Sequence, residues 1–183
     1  MRFFSLIRHP ASGAAPTIEI EAIALILATD AVSFRYRVRG DVRRVRVPRV
    51  GPALRTDELW RRTCFEAFVK RNGQDRYVEL NFAPSTEWAA YSFQTYRLGR
   101  EPLPAIEAPT IECRVDADSI ALEATVRGSS LCFDSAIGLS AVIEDVDGNV
   151  SYWALAHPRA QADFHDSTGW TSAFQRVSNE GPA

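Results

Sequence analysis

The sequence predicts an all-β protein, an antiparallel β-sandwich, and three observations carry that prediction. Apolar and polar residues alternate with a period of two in segment after segment, turn-forming residues separate those segments, and apolar spacing of the helical kind is almost absent. A chain of 183 residues that is 46% hydrophobic can bury one substantial core, and no break in composition asks for a second domain. The expected organisation is a tail over residues 1–16, a sandwich over 17–157, and a C-terminal tail over 158–183 that packs partly back onto it.

Residues 1–16 are rich in Ala, Pro and Gly. Their apolar run ends at Arg8, His9 and Pro10, too short for a signal-peptide core or a bilayer span, so a cytoplasmic location is expected. Residues 17–28 alternate and then become continuously apolar, as a strand entering a sheet interior does. Residues 34–39 alternate without a fault, which sends Phe34, Tyr36 and Val38 to the core and Arg35, Arg37 and Arg39 to water. Gly40-Asp41 turns the chain, Val45 and Val47 suggest one more short strand, 48–52 reads as loop, and 57–60 suits a single helical turn.

The stretch from Leu59 to Tyr96 writes out three strands and two turns. With Asn72-Gly73-Gln74-Asp75 as a four-residue hairpin loop, Phe65 lies opposite Phe82, Ala67 opposite Leu80 and Val69 opposite Val78. A second reversal at Pro84-Ser85-Thr86 is expected to set Val78, Leu80 and Phe82 against Phe93, Tyr91 and Ala89, extending one apolar face over three strands. The other face then places Glu66 by Asn81, Phe68 by Glu79, Tyr77 by Gln94 and Glu79 by Ser92, with Trp88 and Tyr96 on the same side. Carboxylates, an amide and aromatic rings on one surface suit a polar ligand.

Beyond it, residues 98–109 contain three prolines and read as a connection. Ile111, Cys113 and Val115 pair with the alternating run Ile120 to Val126 around Asp116-Ala117-Asp118. A further hairpin joins Ile137, Leu139, Ala141 and Ile143 to residues 150–156 through Asp147-Gly148. The tail from Pro158 is irregular, yet Phe164, His165, Trp170 and Phe174 lead part of it to pack back. Cys64, Cys113 and Cys132 are an odd, widely spaced set, which argues for reduced thiols over a disulfide framework or a zinc knuckle.

These residues resemble a known family. Leu59-Trp60, Thr63-Cys64-Phe65-Glu66-Ala67-Phe68, Glu79-Leu80-Asn81-Phe82-Ala83-Pro84 and Trp88-Ala89-Ala90-Tyr91 are similar to segments of DOMON-like proteins related to family 9 carbohydrate-binding modules. The later segments, Ser140 to Asp145, Ser151 to Pro158 and Ala162 to His165, resemble that family's closing strands and tail. The resemblance spans about residues 17–174 and implies a jelly-roll sandwich with immunoglobulin-like layers and a ligand face; members of the wider superfamily bind sugars or haem. It also implies that Trp60 and either Phe164 or Trp170 flank a terminal sugar, with Glu66 as the strand carboxylate and Glu79 or Asn81 beside it. A tryptophan is usual at the C-terminal wall, where Phe164 stands here.

The expected function is non-catalytic binding of a small polar ligand, a saccharide or glycoconjugate, through Trp60, Glu66, Glu79, Asn81, Trp88, Phe164 and His165, with no cofactor and no metal. A sugar ring offers hydroxyls at its edge and C–H groups on its faces, so aromatic walls and carboxylates together match it. Each residue also has a packing alternative: Trp60 suits a cap on the open end of the sandwich, Trp88 and Trp153 suit the core, Glu66 and Glu79 suit a wet strand face, and His157 suits a structural hydrogen bond. The alternative function is a carbohydrate-active hydrolase, since Glu66 and Glu79 are diagonal neighbours with Cβ atoms roughly 7–8 Å apart. Neither a G-x-S-x-G elbow, a phosphate-cradling glycine loop nor a His-x-x-x-His pair is present.

Haem or anionic-ligand binding completes the alternatives. Met/His haem ligation lacks an internal methionine, because Met1 stands alone, which leaves a His157 and His165 pair. Ten of the 21 basic residues lie between Arg35 and Arg62 and predict a basic patch. With one lysine against twenty arginines and no aromatic residues interleaved on that face, the patch reads as solvated arginine, not a nucleic-acid site.

Overall fold

In the computed structural model, which describes residues 2–104, 106–128, 135–171 and 174–176, the alternating segments form strands. They are β1 (Phe4–Arg8), β2 (Ile18–Ala28), β3 (Ala31–Gly40), β4 (Cys64–Arg71), β5 (Tyr77–Phe82), β6 (Trp88–Phe93), β7 (Glu101–Pro102), β8 (Thr110–Val115), β9 (Ser119–Arg127), β10 (Ser135–Glu144), β11 (Val150–Ala154) and β12 (Gln175–Arg176). Single 3-10 turns lie at Val42–Arg44, Leu59–Arg61 and Ser167–Gly169. No helix among the described residues is long and apolar enough to cross a membrane. Cys132 lies outside the described residues.

The strands form one antiparallel sheet in the order β7-β6-β5-β4-β10-β11-β1-β2-β3-β9-β8, curled into a half-barrel, with β12 added in parallel to β2. Residues 1–16 were expected as a tail, but β1 is the hinge of this sheet: it pairs with β2 on one side and β11 on the other. The two halves expected as separate layers are therefore continuous through β1. Its Phe-Ser-Leu-Ile alternation is too short to stand out beside Arg8-His9-Pro10.

The curl brings the two halves face to face over a common core. Phe34 of β3 stacks on Phe82 of β5 at 5.7 Å, and Tyr36 meets Phe65 of β4 at 5.0 Å. The Tyr36 hydroxyl donates to the Glu66 carbonyl oxygen at 2.7 Å, so the one polar atom of that buried ring is satisfied across the core. As alternation predicts, Phe34, Tyr36 and Val38 are buried, while Arg35 and Arg39 pair with Glu123 and Glu21. Much of the basic patch is neutralised in this way, with Arg44 on Asp147, Arg46 on Glu144 and Arg61 on Glu58. Val45 forms an isolated bridge to Asp145, after a 3-10 turn, where a short strand was expected.

The first central hairpin has the expected register: Phe65 faces Phe82, Ala67 faces Leu80 and Val69 faces Val78, with Gly73 at φ 75° in the loop. The second is shifted by one residue. Phe82 pairs with Trp88, Leu80 with Ala90 and Val78 with Ser92. The cause is local: Ala83 N–H donates to Glu87 O at 2.9 Å, which closes a three-residue loop, and Thr86 adopts the left-handed conformation at φ 76°. That conformation is costly for a β-branched residue. Here Thr86 Oγ1 donates to Gly51 O at 2.8 Å, while Ser85 and Thr56 hydroxyls hold the Glu87 carboxylate at 2.8 and 2.9 Å.

The shift exchanges the faces of β6. Trp88, expected beside the carboxylates, joins the common core at 7% exposure, with the Arg55 guanidinium 4.8 Å from its ring. Ala89, Tyr91 and Phe93 move to the outer face with Tyr77, Glu79 and Asn81. Glu79 consequently lies beside Tyr91, not Ser92, and Tyr77 beside Phe93, not Gln94. A second apolar cluster of Phe68, Tyr77, Ala89, Tyr91 and Phe93 results, covered by Leu59, Phe164 and Trp170.

Candidate functional site

The outer face of β4, β5, β6 and β10 is not bare. The chain after β11 returns across it, and between this cover and the sheet lies a cleft of about 540 Å³. Glu66, Glu79, Phe93 and Val142 come from the strands, Trp60 from the 3-10 turn before β4, and Tyr152 from β11. Arg97 and Arg100 enter from the loop between β6 and β7, and Gln161, Ala162, Phe164 and His165 from the returning segment.

The cover is anchored by polar and aromatic contacts. Trp170 lies on Gly138, packs against Phe68 at 5.6 Å, and donates its indole N–H to Phe164 O at 2.9 Å. Asp163 accepts hydrogen bonds from the Tyr96 hydroxyl, from Arg97 at 2.9 Å and from the His165 amide at 3.0 Å. Burial raises the Asp163 pKa, but the Tyr96 and Arg97 hydrogen bonds outweigh it and hold the carboxyl below its ordinary value.

Two carboxyl groups define the floor. Glu66 is 3% exposed, and its Oε1 has no hydrogen-bond partner. Burial pushes its pKa well above the usual carboxylate range, Glu79 pushes further, and Arg97 opposes them. Glu79 is raised by burial too, but Asn81 donates to its Oε1 at 2.7 Å, and Arg100 and Arg97 favour its charge. The environment thus differentiates the pair: burial and Glu79 favour the neutral form of Glu66, while Asn81, Arg100 and Arg97 favour the charged form of Glu79.

His165 closes one side. Burial, with Arg97 and Arg100 nearby, lowers its pKa to about 4, so the ring is neutral. The Arg97 amide donates to the Tyr77 oxygen at 3.2 Å, and the Tyr77 hydroxyl is 2.7 Å from Nδ1. Nδ1 is therefore assigned as the acceptor, which leaves Nε2–H 3.7 Å from Glu79 Oε2. Cys64 lies beneath this group, 3.8 Å from Asn81 Oδ1; burial and then Glu66 push its thiol well above the ordinary range, which suits a buried thiol and not a nucleophile.

Trp60, Glu66, Glu79, Phe164 and His165 all line this cleft, and Asn81 stands behind them as the partner of Glu79. Trp60 is 44% exposed, which matches a cleft wall better than a packing cap. Trp170 packs on the sheet and lies outside the cleft lining. His157 is also outside it, with Nε2 2.8 Å from Ile7 O and its ring edge-on to His9 at 4.7 Å, so it shares no cleft with His165. Among the described residues no group of His, Cys, Asp and Glu side chains is placed to hold a metal ion.

No protein-family model and no curated protein matches this chain. A solved structure does. It is the crystal structure of "a putative carbohydrate-binding protein" from Bacteroides uniformis, with a TM-score of 0.61 at 12% identity. The alignment covers 93% of this chain and 84% of that one, so the two share a fold through nearly their whole length.

Arg97, Arg100 and Tyr152 were not anticipated. Arg97 sits inside, and Arg100 just after, a tight turn in which Thr95 and Leu98 pair, with Arg97 at φ 57° and Gly99 at φ 65°. The Arg-Leu-Gly-Arg sequence is the signal for that turn, but which face it overhangs depends on the register of β6. Tyr152 was legible by parity, because Trp153 points into the core. Its place beside Glu66 depends on the β4–β10 pairing, which joins residues some seventy positions apart.

Proposed function

We propose that this protein is a non-catalytic binder of a saccharide or glycoconjugate, held in the cleft over Glu66 and Glu79, and that it is a DOMON-like relative of family 9 carbohydrate-binding modules. The observation that carries the reading is Glu66: a buried carboxyl at the floor of an aromatic-lined cleft, with an oxygen that no protein group satisfies. An unsatisfied buried polar group costs about 1–3 kcal/mol, which a ligand hydroxyl recovers on binding. Trp60 and Phe164 supply faces for sugar C–H groups, and Glu79, Arg97, Arg100 and Gln161 supply edge hydrogen bonds. The fold shared with the Bacteroides uniformis protein is consistent with this reading.

Thermal-shift screening against mono- and oligosaccharides tests it. One class of sugar is expected to raise the melting temperature of the wild type, and Trp60→Ala and Glu66→Ala to abolish the rise; a panel without any shift defeats the proposal. The differentiated carboxyl pair favours one second reading, a carbohydrate-active hydrolase with Glu66 as proton donor and Glu79 as its ionised partner. Release of nitrophenol from aryl glycosides, lost in both Glu66→Gln and Glu79→Gln, would favour it over binding alone.

A further inference from the structure

Charge in the cleft is unbalanced. Arg97 is already engaged by Asp163 at 2.9 Å, and Arg100 lies 3.7 Å from Asp57 and stacks over the Tyr91 ring at 3.8 Å. Arg159, which also approaches Asp163, is closed by Asp166 at 2.6 Å. His165 is neutral. The two cleft guanidiniums, which favour the charge of Glu79, are thus also matched by carboxylates outside the floor, and the buried Glu66 carboxyl remains with an oxygen that no donor reaches in an aromatic-walled space. An isolated buried carboxylate is disfavoured unless a proton or a cation joins it.

We propose that the preferred ligand carries a cationic amine, and that the cleft selects amino sugars with a free ammonium, which Glu66 receives at the floor. This rests on the saccharide reading above and narrows it. A primary ammonium brings up to three donors and a positive charge to a group that lacks both, and such a charge-assisted hydrogen bond is stronger than a hydroxyl's. Trp60 and Phe164 add aromatic rings to the lining, and such rings attract a cation as aromatic cages do. The exchange balances: the neutral Glu66 carboxyl gives up its proton to solvent as the ammonium docks, so binding releases a proton wherever Glu66 is protonated in the free protein. Burial favours that protonated state. The ionisable groups facing Glu66 are Glu79, Cys64, Arg97 and the Tyr36 ring, and His165 with Tyr77 faces Glu79.

The test is titration calorimetry of the wild-type chain with glucosamine, galactosamine and mannosamine against their N-acetylated and parent sugars, with ethanolamine and glucuronic acid as further probes. Repeating each titration in buffers of different ionisation heat counts the protons released. Expected is binding of at least one amino sugar about tenfold or more tighter than its N-acetylated form, a gap of about 1.4 kcal/mol or more, with proton release confined to the amine. Glu66→Gln should abolish both the preference for the amine and the proton release. If neutral sugars or glucuronic acid bind as well as the amines, this inference falls and the saccharide reading survives. Equal binding of ethanolamine overturns selection for a sugar, and the absence of binding by any sugar overturns both. The wild-type series decides the matter even if the variant fails to fold.

Discussion

Substituting Gly138 by alanine should loosen the cover of the cleft without touching its lining. Gly138 lies on the outer face of β10, opposite Phe68, and Trp170 lies directly on it. A Cβ there would stand 2.6 Å from Trp170 Nε1 and 2.7 Å from Cδ1. Carbon contacts settle at about 3.5–4.0 Å, so the indole must retreat by about 1 Å. It has little room, since Phe68 and Tyr77 hold it at 5.6 and 5.7 Å between ring centroids and its N–H is committed to Phe164 O. Overpacking of this kind costs about 1–3 kcal/mol. At about 2–4 °C per kcal/mol for a chain of this size, the melting temperature should fall by about 2–12 °C. Gly51, where an added Cβ meets nothing within 4 Å, is the control, and Gly51→Ala should be neutral. Calorimetric melting supplies the first comparison, and the rate of tryptic cleavage after Arg159 reports whether the cover has loosened. A Gly138→Ala protein that melts within about 1 °C of the Gly51→Ala control, with unchanged cleavage, would refute the claim that Trp170 clamps the cover to the sheet.

Glu66→Gln should stabilise the unliganded protein at neutral pH. Because its folded pKa is raised, the folded state holds a proton that the unfolded chain has lost, so stability declines as pH rises from the ordinary carboxylate value through the folded one; melting temperature against pH should lose that decline in the variant. Asp163→Ala should cost about 1.5–3 kcal/mol, as hydrogen bonds to a charged group do. The folded pKa of Asp163 is depressed, so its contribution is present above the ordinary carboxylate value and fades as pH falls through the folded one, which denaturant melts at several pH values will show. Phe82→Ala, which removes the ring stacked on Phe34, should cost about 3–5 kcal/mol by urea unfolding.

What was legible in the sequence was what local alternation controls. Phe34, Tyr36 and Val38 face the core, and the β4–β5 register follows from a loop whose glycine takes a positive φ. Where a side-chain network forces an unusual backbone, as at Thr86, alternation alone misplaces the next strand by one residue and exchanges Trp88 for Tyr91 and Phe93. Glu66, Glu79 and Asn81 were legible on one outward face from strand alternation, and Trp60 and Phe164 from the order along the chain that the resemblance implies. Arg97, Arg100 and Tyr152 were not, since their convergence depends on the β6 register and on the long-range pairing of β4 with β10. The joining role of β1 was hidden for a similar reason: a five-residue strand shows its meaning only through its two partners.

The central claim, that the cleft over Glu66 and Glu79 holds a sugar, is tested most directly by calorimetric titration of the screened saccharide into wild type, Trp60→Ala and Glu66→Ala. Saturable binding with one ligand per chain is predicted, weakened about tenfold or more by each substitution, with circular dichroism showing both variants folded. Binding that both folded variants retain at wild-type strength would contradict the account.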